Sequence, residues 1–357
     1  MSKKTVLGIE TSCDDTSFAI MRADFDSLEE RPEIIALESF TQETLLAEWG
    51  GVVPEIASRN HLDKIAPLLK NILKKADIKL SDIDLIGVTT FPGLLGPLLT
   101  GLNAAKTISM LHKTSIVPVN HLFAHLEAIH ITKTISYPYL GLLVSGGHSM
   151  YAIIHDPTNM EILGSTLDDA AGEAFDKGGK LAGLGYPAGR IIDELAKKGD
   201  PKKYEFPIGL RGSADCNLSY SGVKTSLRQF LEKNPDLLVT DSTELEQKHF
   251  DMCASYQHAI VAALKLKLRY AIKAAKEKIG HDLPIVVGGG VACNSYLREV
   301  LTTSYKNVSF VEPKYCADNG AMIANYALRT QGAASQYPET LTLDARSRFI
   351  KRGKTNV

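Results

Sequence analysis

Short apolar runs, each broken by a polar or glycine-rich stretch, set the grain of this chain. TVLGIETSCDDTSFAIMRA (5–23) reads as a strand, a polar turn and a second strand. IDLIGVTT (83–90) and TSIVPV (114–119) are further buried strands, and the first runs into the Pro/Gly loop FPGLLG. YLGLLVSGGHSMYAIIHD (139–156) repeats the strand–turn–strand pattern of the opening segment. LPIVVGGGVACNSYLREVL (283–301) predicts a buried strand, a glycine turn and a helix, and VSFVEP (308–313) a last strand before the loop and helix of YCADNGAMIANYALR (315–329). Between these lie helical periods: 52–75, with Pro54 early and a stripe through Leu68, Leu69 and Leu73; about Leu98 to Leu111; and 245–279, as one long helix or two.

Strands alternating with helices predict an α/β fold, and the echoed hairpin predicts two related half-domains rather than a solenoid, since no short period recurs. The expected division is a first half over 1–132, a second over 133–330 with an irregular, partly helical insertion at about 165–235, and a basic tail over 331–357. A length of 357 residues independently favours two domains.

Charge narrows the partners. With 23% charged residues and a net charge of −1, the chain has no global pull toward nucleic acid or anionic membrane, so a polyanion must be met by a local patch. Lys265, Arg269, Lys273 and Lys276 share one helix face, and RSRFIKRGK (346–354) is basic; a solvated face and a frayed tail account for both equally simply. Cysteines 13, 216, 253, 293 and 316 are scattered with no CxxC pair, which suits a reducing compartment and argues against a disulfide framework. The first apolar run stops at Glu10, too short for a signal peptide, and no stretch reaches the roughly 18 apolar residues of a membrane span. A cytoplasmic protein is expected.

Candidate chemistry begins at NHLFAHLEAIH (120–130). On a helix His121 and His125 lie one turn and about 40° apart, the spacing for two imidazoles to share a metal ion. His130, nine residues from His121, falls on the opposite face. A zinc-peptidase helix carries a glutamate beside its first histidine; here that place is Leu122. Two buried, hydrogen-bonded histidines are an equally good reading of this segment alone. Four loops after buried strands could bind ligands. ETSCDD offers the adjacent carboxylates Asp14 and Asp15 as general base or metal anchor, although such residues also favour plain turns. VSGGH (144–148) and GGGVACN (288–294) could bring backbone N–H groups to a phosphate. In CADNG (316–320), Asp318 is a helix N-cap or a metal-binding carboxylate, and alone the cap reading is the better one. DDAAGEAFDKGG (168–179) reads as a solvated loop entering a helix.

Taken in order, GIETSCDDT, GGVVPEIASRNH, PVNHLFAHLEA, LLVSGGHS, DDAAGEAFDK, YSGVKT, GGGVACN and ADNGAMIA resemble the tRNA N6-adenosine threonylcarbamoyltransferase family, formerly described as glycoproteases, from about residue 4 to 330. The resemblance implies two ribonuclease-H-like domains of the actin, sugar-kinase and heat-shock ATPase superfold around a nucleotide cleft. It implies transfer of a threonylcarbamoyl group from threonylcarbamoyl-adenylate to N6 of the adenosine beside the anticodon, in tRNAs reading A-starting codons, with release of AMP. Through it, His121, His125 and Asp318 match metal ligands. Leu143, Val144, Ser145, Gly146, Gly147, Asp176, Gly189, Asp193 and Asn294 match contacts to the adenylate, and Asp14 and Asp15 the acidic pair near the acceptor. One divalent metal ion is implied; two His and one Asp suit iron or zinc, with iron(II) placed ahead. A paralogous non-catalytic subunit and a small ATPase are the implied protein partners, with no membrane.

The alternatives are a phosphotransferase or ATPase of the same superfold, which would not need the histidine pair, and a non-catalytic scaffold paralogue, which would be expected to have lost it. Several positions depart from the family pattern: SCDDT for SCDET, Asn60 and Asn217 where an acid is common before His61 and SYSGVKT, Phe91 for a glycine in the GPGL loop, and Ala188 for the glycine of YPGG. Phe91 is expected to put bulk where backbone should approach a partner or ligand.

Overall fold

The structure, a computed structural model, describes residues 3–24, 31–240, 242 and 244–348. The end of the basic tail, 349–357, lies outside the described residues. Two compact units divide the chain: Met1–Ile135 with Asp156–Asn159 and Ala317–Val357, and Ser136–His155 with Met160–Cys316.

The first unit is built on a five-stranded sheet. β1 (Lys4–Glu10) and β2 (Asp15–Ala23) form the antiparallel hairpin the sequence predicts, in register from Lys4↔Ala23 to Glu10↔Ser17. β3 (Glu33–Thr41) extends it on one side; β4 (Leu85–Phe91) and β5 (Ser115–Asn120) add parallel strands on the other, in the order β3-β2-β1-β4-β5. Alternation along β1 explains its two faces. Leu7 and Ile9 join a core with Leu68 and Ile72 of the Pro54–Ala76 helix and Leu98 and Leu102 of the Leu95–His112 helix. Gly8 points the other way, onto the Gly320–Arg329 helix, and a Cβ there would sit 2.1 Å from the Gly320 carbonyl oxygen. Glycine on both sides of this contact lets helix and sheet approach closely.

That helix therefore belongs with the first sheet, whereas a division of the chain at 132/133 put it with the second half. The long-range contact is sealed by Gly320 N–H donating to Ser17 Oγ at 2.9 Å.

In the second unit β6 (Tyr139–Val144), β7 (Ser149–Asp156), β8 (Asn159–Ser165), β9 (Ile285–Gly288) and β10 (Val308–Phe310) run in the order β10-β9-β6-β7-β8. The sequence-order pattern and strand senses repeat the first sheet: an antiparallel hairpin, then parallel neighbours on the inner strand. The 165–235 stretch contributes helices Ala171–Leu181, Gly189–Ala196 and Ser221–Lys233 joined by loops. Gln247–Ile279 is one unbroken helix. Its Lys267, wholly buried, donates to the Ser213 carbonyl (2.9 Å) and Oγ (2.6 Å), which ties down the irregular loop. No helix among the described residues is long and apolar enough to cross a membrane.

Candidate functional site

β5 ends at Asn120, whose Oδ1 accepts from Leu122 N–H (2.9 Å) and so starts the His121–Glu127 helix. The helix tightens to a 3-10 turn over Ala128–Ile131, which carries His130 away toward Glu127. His121 and His125, one turn apart as their spacing requires, face each other with Nε2 atoms 3.2 Å apart. Asp318 completes a triangle: its Oδ1 is 3.1 Å from His125 Nε2 and 3.5 Å from His121 Nε2. The reading of Asp318 as the N-cap is corrected, because Asn319 caps the Gly320–Arg329 helix by accepting from Met322 N–H at 2.9 Å. Among the described residues this trio is the one group of three or more His, Cys, Asp or Glu side chains whose ligand atoms come within 4.8 Å of one another.

The donor set fits a metal ion. A tetrahedral ion with bonds of about 2.0–2.1 Å holds its ligand atoms about 3.3 Å apart, close to all three edges seen here. Two imidazole nitrogens pointing at one another beside a carboxylate are otherwise a poor arrangement, since a shared proton can serve only one contact. Glu10, at the end of β1 and fully buried, orients the pair. Its Oε2 is 3.1 Å from His121 Nδ1 and accepts from Thr89 Oγ1 at 2.6 Å, while Oε1 accepts from Ser12 N–H at 2.5 Å. This leaves His121 Nε2 as the ligand face. Burial disfavours an imidazolium at His121, but the carboxylates of Asp318 and Glu10 outweigh it and push its pKa up to about 9.

The ETSCDD turn joining β1 to β2 is held rigidly. His61, buried in the Pro54–Ala76 helix, has Nδ1 2.7 Å from Thr16 Oγ1 and Nε2 3.0 Å from the Cys13 carbonyl. Leu94 N–H donates to the Ser12 carbonyl (2.8 Å), and a Cβ on Gly93 would lie 2.6 Å from that same oxygen, so glycine is needed in the neighbouring loop. Asp14 and Asp15 thus stand on a fixed scaffold. Burial, then the charge of Asp318, raises both carboxyls; Asp15, with Asp14 beside it, is pushed up to about 8. Asp15 Oδ1 is buried with no hydrogen-bond partner among the described residues.

In the second unit the candidate adenylate residues fall into two kinds. Leu143 and Val144 are buried at the end of β6, and the following turn is closed by Ser145 N–H on the His148 carbonyl (2.8 Å). Gly146 and Gly147 open onto free space: an added Cβ would meet nothing within 4 Å. The other side chains are committed to neighbours. Asp176 Oδ1 accepts from the N–H groups of Ala188 (2.9 Å) and Gly189 (3.2 Å), capping the Gly189–Ala196 helix. Asp193 accepts from Ser295 N–H and Oγ, both at 2.9 Å; Asn294 caps the Ser295–Ser304 helix through Leu297 N–H (2.8 Å) and donates to Gln257 Oε1 (2.6 Å). The structure therefore brings Asp193, Ser295 and Asn294 together, and Asp176 with Gly189.

Sequence reasoning passed over Glu10, Thr89 and His61. A lone acid closing an apolar strand was the available signal for the first. DDAAGEAFDKGG is also more than a solvated loop. Asp168 accepts from Tyr220 N–H (2.7 Å), Ser219 Oγ (2.5 Å) and Ser221 Oγ (2.8 Å), and Asp169 pairs with Lys177 (2.5 Å) and Lys224. The DDAAGEAFDK and YSGVKT segments are thus one anchored unit. Among the departures from the family pattern, Ala188 is fully buried against Gly179, where a Cβ would lie 2.0 Å from its methyl. Asn60 donates to Gln42 Oε1 (2.9 Å), and Asn217 Oδ1 accepts from Ser165 N–H (3.3 Å). The Phe91 ring is covered by the Arg346 guanidinium at 5.0 Å, and Arg346 N–H donates to the Thr90 carbonyl (2.9 Å), so the start of the tail is pinned.

Two sheets with one shared strand order, each flanked by helices, place the chain in the actin, sugar-kinase and heat-shock ATPase superfold. Component A of the (R)-2-hydroxyglutaryl-CoA dehydratase of Acidaminococcus fermentans shares this fold, with a TM-score of 0.51 over 92% of this chain and 99% of that one, at 16% identity. Within that class, residues 33–325 match the family described as tRNA N6-adenosine threonylcarbamoyltransferase. The chain is 39% identical to the protein of that name from Ruegeria pomeroyi (97% of this chain, 93% of that one) and 42% identical to that of Anaeromyxobacter sp. strain Fw109-5 (89% and 92%). It belongs to this family of tRNA-modifying acyltransferases. The phosphotransferase and scaffold alternatives are not favoured.

Proposed function

We propose that the chain moves a threonylcarbamoyl group from threonylcarbamoyl-adenylate to N6 of the adenosine beside the anticodon, in tRNAs reading codons that begin with A. The amine nitrogen bonds to the carbamoyl carbon, the carbon–oxygen bond to the adenylate phosphate breaks, and AMP leaves. An exocyclic aromatic amine is a weak nucleophile, so a carboxylate that takes its proton is worth about 10²–10⁴-fold. Asp15 is placed in that role ahead of Asp14, on its unpartnered oxygen and its raised pKa.

His121, His125 and Asp318 hold one divalent cation, iron(II) ahead of zinc. Bound there, the ion would supply Lewis-acid polarisation of a carbonyl oxygen. The triangle of ligand atoms 3.1–3.5 Å apart is the observation that carries this reading. Leu122, 1% exposed where a zinc peptidase keeps its base, argues for a reaction whose nucleophile comes from the substrate. In the second unit, the Leu143–Gly147 segment, Asp176, Gly189, Asp193 and Asn294 take the adenylate. The open space beside Gly146 and Gly147 supports this, because backbone N–H groups can approach a phosphate there. The committed carboxylates of Asp176 and Asp193 then act by fixing helix ends as well as by direct contact. The protein works in the cytoplasm with a paralogous non-catalytic subunit and a small ATPase.

The test supplies threonylcarbamoyl-adenylate, unmodified tRNA reading an A-starting codon and the partner subunits of the same organism. The modified nucleoside is then read by mass spectrometry. Product should form, and disappear with a chelator and with His125→Ala. Absence of product from folded, metal-loaded protein would sink the proposal.

A further inference from the structure

Cysteines 293 and 316, 23 positions apart, meet in the second unit. Cys293 closes the exposed 3-10 turn Gly290–Cys293 that follows β9, and Cys316 closes the short Pro313–Cys316 helix with its side chain buried. Both sulfurs lie on the same Val311–Pro313 segment: Cys293 Sγ is 3.6 Å from the Pro313 carbonyl oxygen, and Cys316 Sγ is 3.3 Å from that of Val311. The two thiols are themselves hydrogen-bonded. Arg298 spans the same place. One Nη2 donates to the Val311 carbonyl at 2.9 Å and lies 3.8 Å from Cys316 Sγ, while its guanidinium stacks on Phe310 at 4.7 Å.

An exposed thiol beside a fixed guanidinium, with a second sulfur in reach, is the arrangement of a reactive and a resolving cysteine. We propose that Cys293 and Cys316 form a peroxide-sensitive dithiol that closes to a reversible disulfide. The Cys293 thiolate attacks one peroxide oxygen, the O–O bond breaks, and the other oxygen leaves as water or, from an organic hydroperoxide, as an alcohol. The resulting sulfenic acid is attacked by the Cys316 sulfur; the S–S bond forms and a second molecule of water leaves with the Cys316 proton. Two thiols are oxidised and one peroxide is reduced. The hydrogen bond from Cys316, then Arg298, draws the Cys293 thiol down to about 7 against the effect of burial, near the optimum for attack at neutral pH. The other cysteines lack this setting. Burial raises the thiols of Cys13 and Cys216 and pushes Cys253 up to about 12. Asn294, next to Cys293, joins this turn to the Ser295–Ser304 helix, so the modification falls at the edge of the GGGVACN loop.

The test treats reduced full-length protein with stoichiometric hydrogen peroxide, alkylates the remaining thiols and maps the peptides. Two of the five thiols should be lost, with one cross-linked peptide joining Cys293 to Cys316 that dithiothreitol restores. In Cys316→Ser, Cys293 should instead stop at the sulfenic acid and be captured by dimedone. Its alkylation midpoint, near pH 7 in the native protein, should move upward. Five thiols surviving peroxide, or peroxide taking Cys216 or Cys253 first, would overturn the proposal, and the native-protein mapping needs no variant to fold.

Discussion

Glu10 Oε2 lies 3.1 Å from Nδ1 of His121, and this contact turns the opposite ring nitrogen toward His125 and Asp318. Glu10 is wholly buried and has two other partners, Ser12 and Thr89, so it cannot swing away. Glu10→Gln keeps the shape and removes the charge that fixes the tautomer. Metal affinity, measured by calorimetry on the stripped protein, should fall about 10–100-fold, the usual effect of losing an orienting partner. An unchanged affinity would show that the ring is oriented by packing alone.

Asp15 carries a pH signature. A base must be unprotonated to accept the amine proton, and this carboxyl is raised to about 8 by burial, Asp318 and Asp14. Below that value, kcat/KM should rise about tenfold per pH unit and then level. A cation held beside Asp318 offsets one of those negative charges, so the inflection falls at or below 8. Asp15→Asn should cost about 10²–10⁴-fold in kcat with the protein still folded. A flat profile from pH 6 to 9 would remove Asp15 from the role.

Two kinds of glycine should separate on substitution. A Cβ at Gly8 would lie 2.1 Å from the Gly320 carbonyl and 2.5 Å from Ala324 N, both backbone atoms, so Gly8→Ala should destabilise the first unit by about 1–3 kcal/mol or more in urea unfolding. Gly146→Ala meets no atom within 4 Å and should leave stability within about 0.5 kcal/mol while weakening adenylate binding. Equal stability effects in the two variants would contradict the packing argument.

His130 links stability to acid. Burial, then the nearby Arg329 charge, lowers its folded pKa to about 3 from an ordinary 6.5. Between those values the unfolded chain binds a proton that the folded chain refuses. The contribution is therefore complete above pH 6.5 and is lost as pH falls toward 3, by about 1.4 kcal/mol per unit. His130→Phe should flatten the acid limb of the stability curve between pH 6.5 and 5. A variant with the same slope as the native chain would place the acid sensitivity elsewhere.

The hairpins, the parallel strands and the histidine pair were legible because each rests on short-range periodicity or on one helical turn. β3 and β8 were not anticipated: both are only partly buried edge strands, whose mixed polarity gives a weak alternating signal. Asp318 was misread as a cap since the local rule cannot distinguish two adjacent capping residues, and Asn319 takes the bond. Contacts between distant segments, such as Glu10 with His121, His61 with the Cys13 carbonyl and Asp168 with the SYSG turn, follow from the path of the chain rather than from any local pattern. Phe91 and Ala188 looked like obstacles in sequence, yet Arg346 and Gly179 provide for them.

The Gly320–Arg329 helix lies against β1 and β2, strands made about 300 residues earlier, and Asp318 arrives just ahead of it. On the ribosome the opening hairpin must wait for that partner, about 15–60 s at ordinary elongation rates of ~5–20 residues per second. During that interval the glycine face of β1 has no cover and the two histidines have no carboxylate. A chain released before residue 318 would thus carry two thirds of a metal triad and an unpaired sheet face, which makes this last helix a checkpoint on synthesis: an incomplete product betrays itself by its exposed surface before it can acquire a cation.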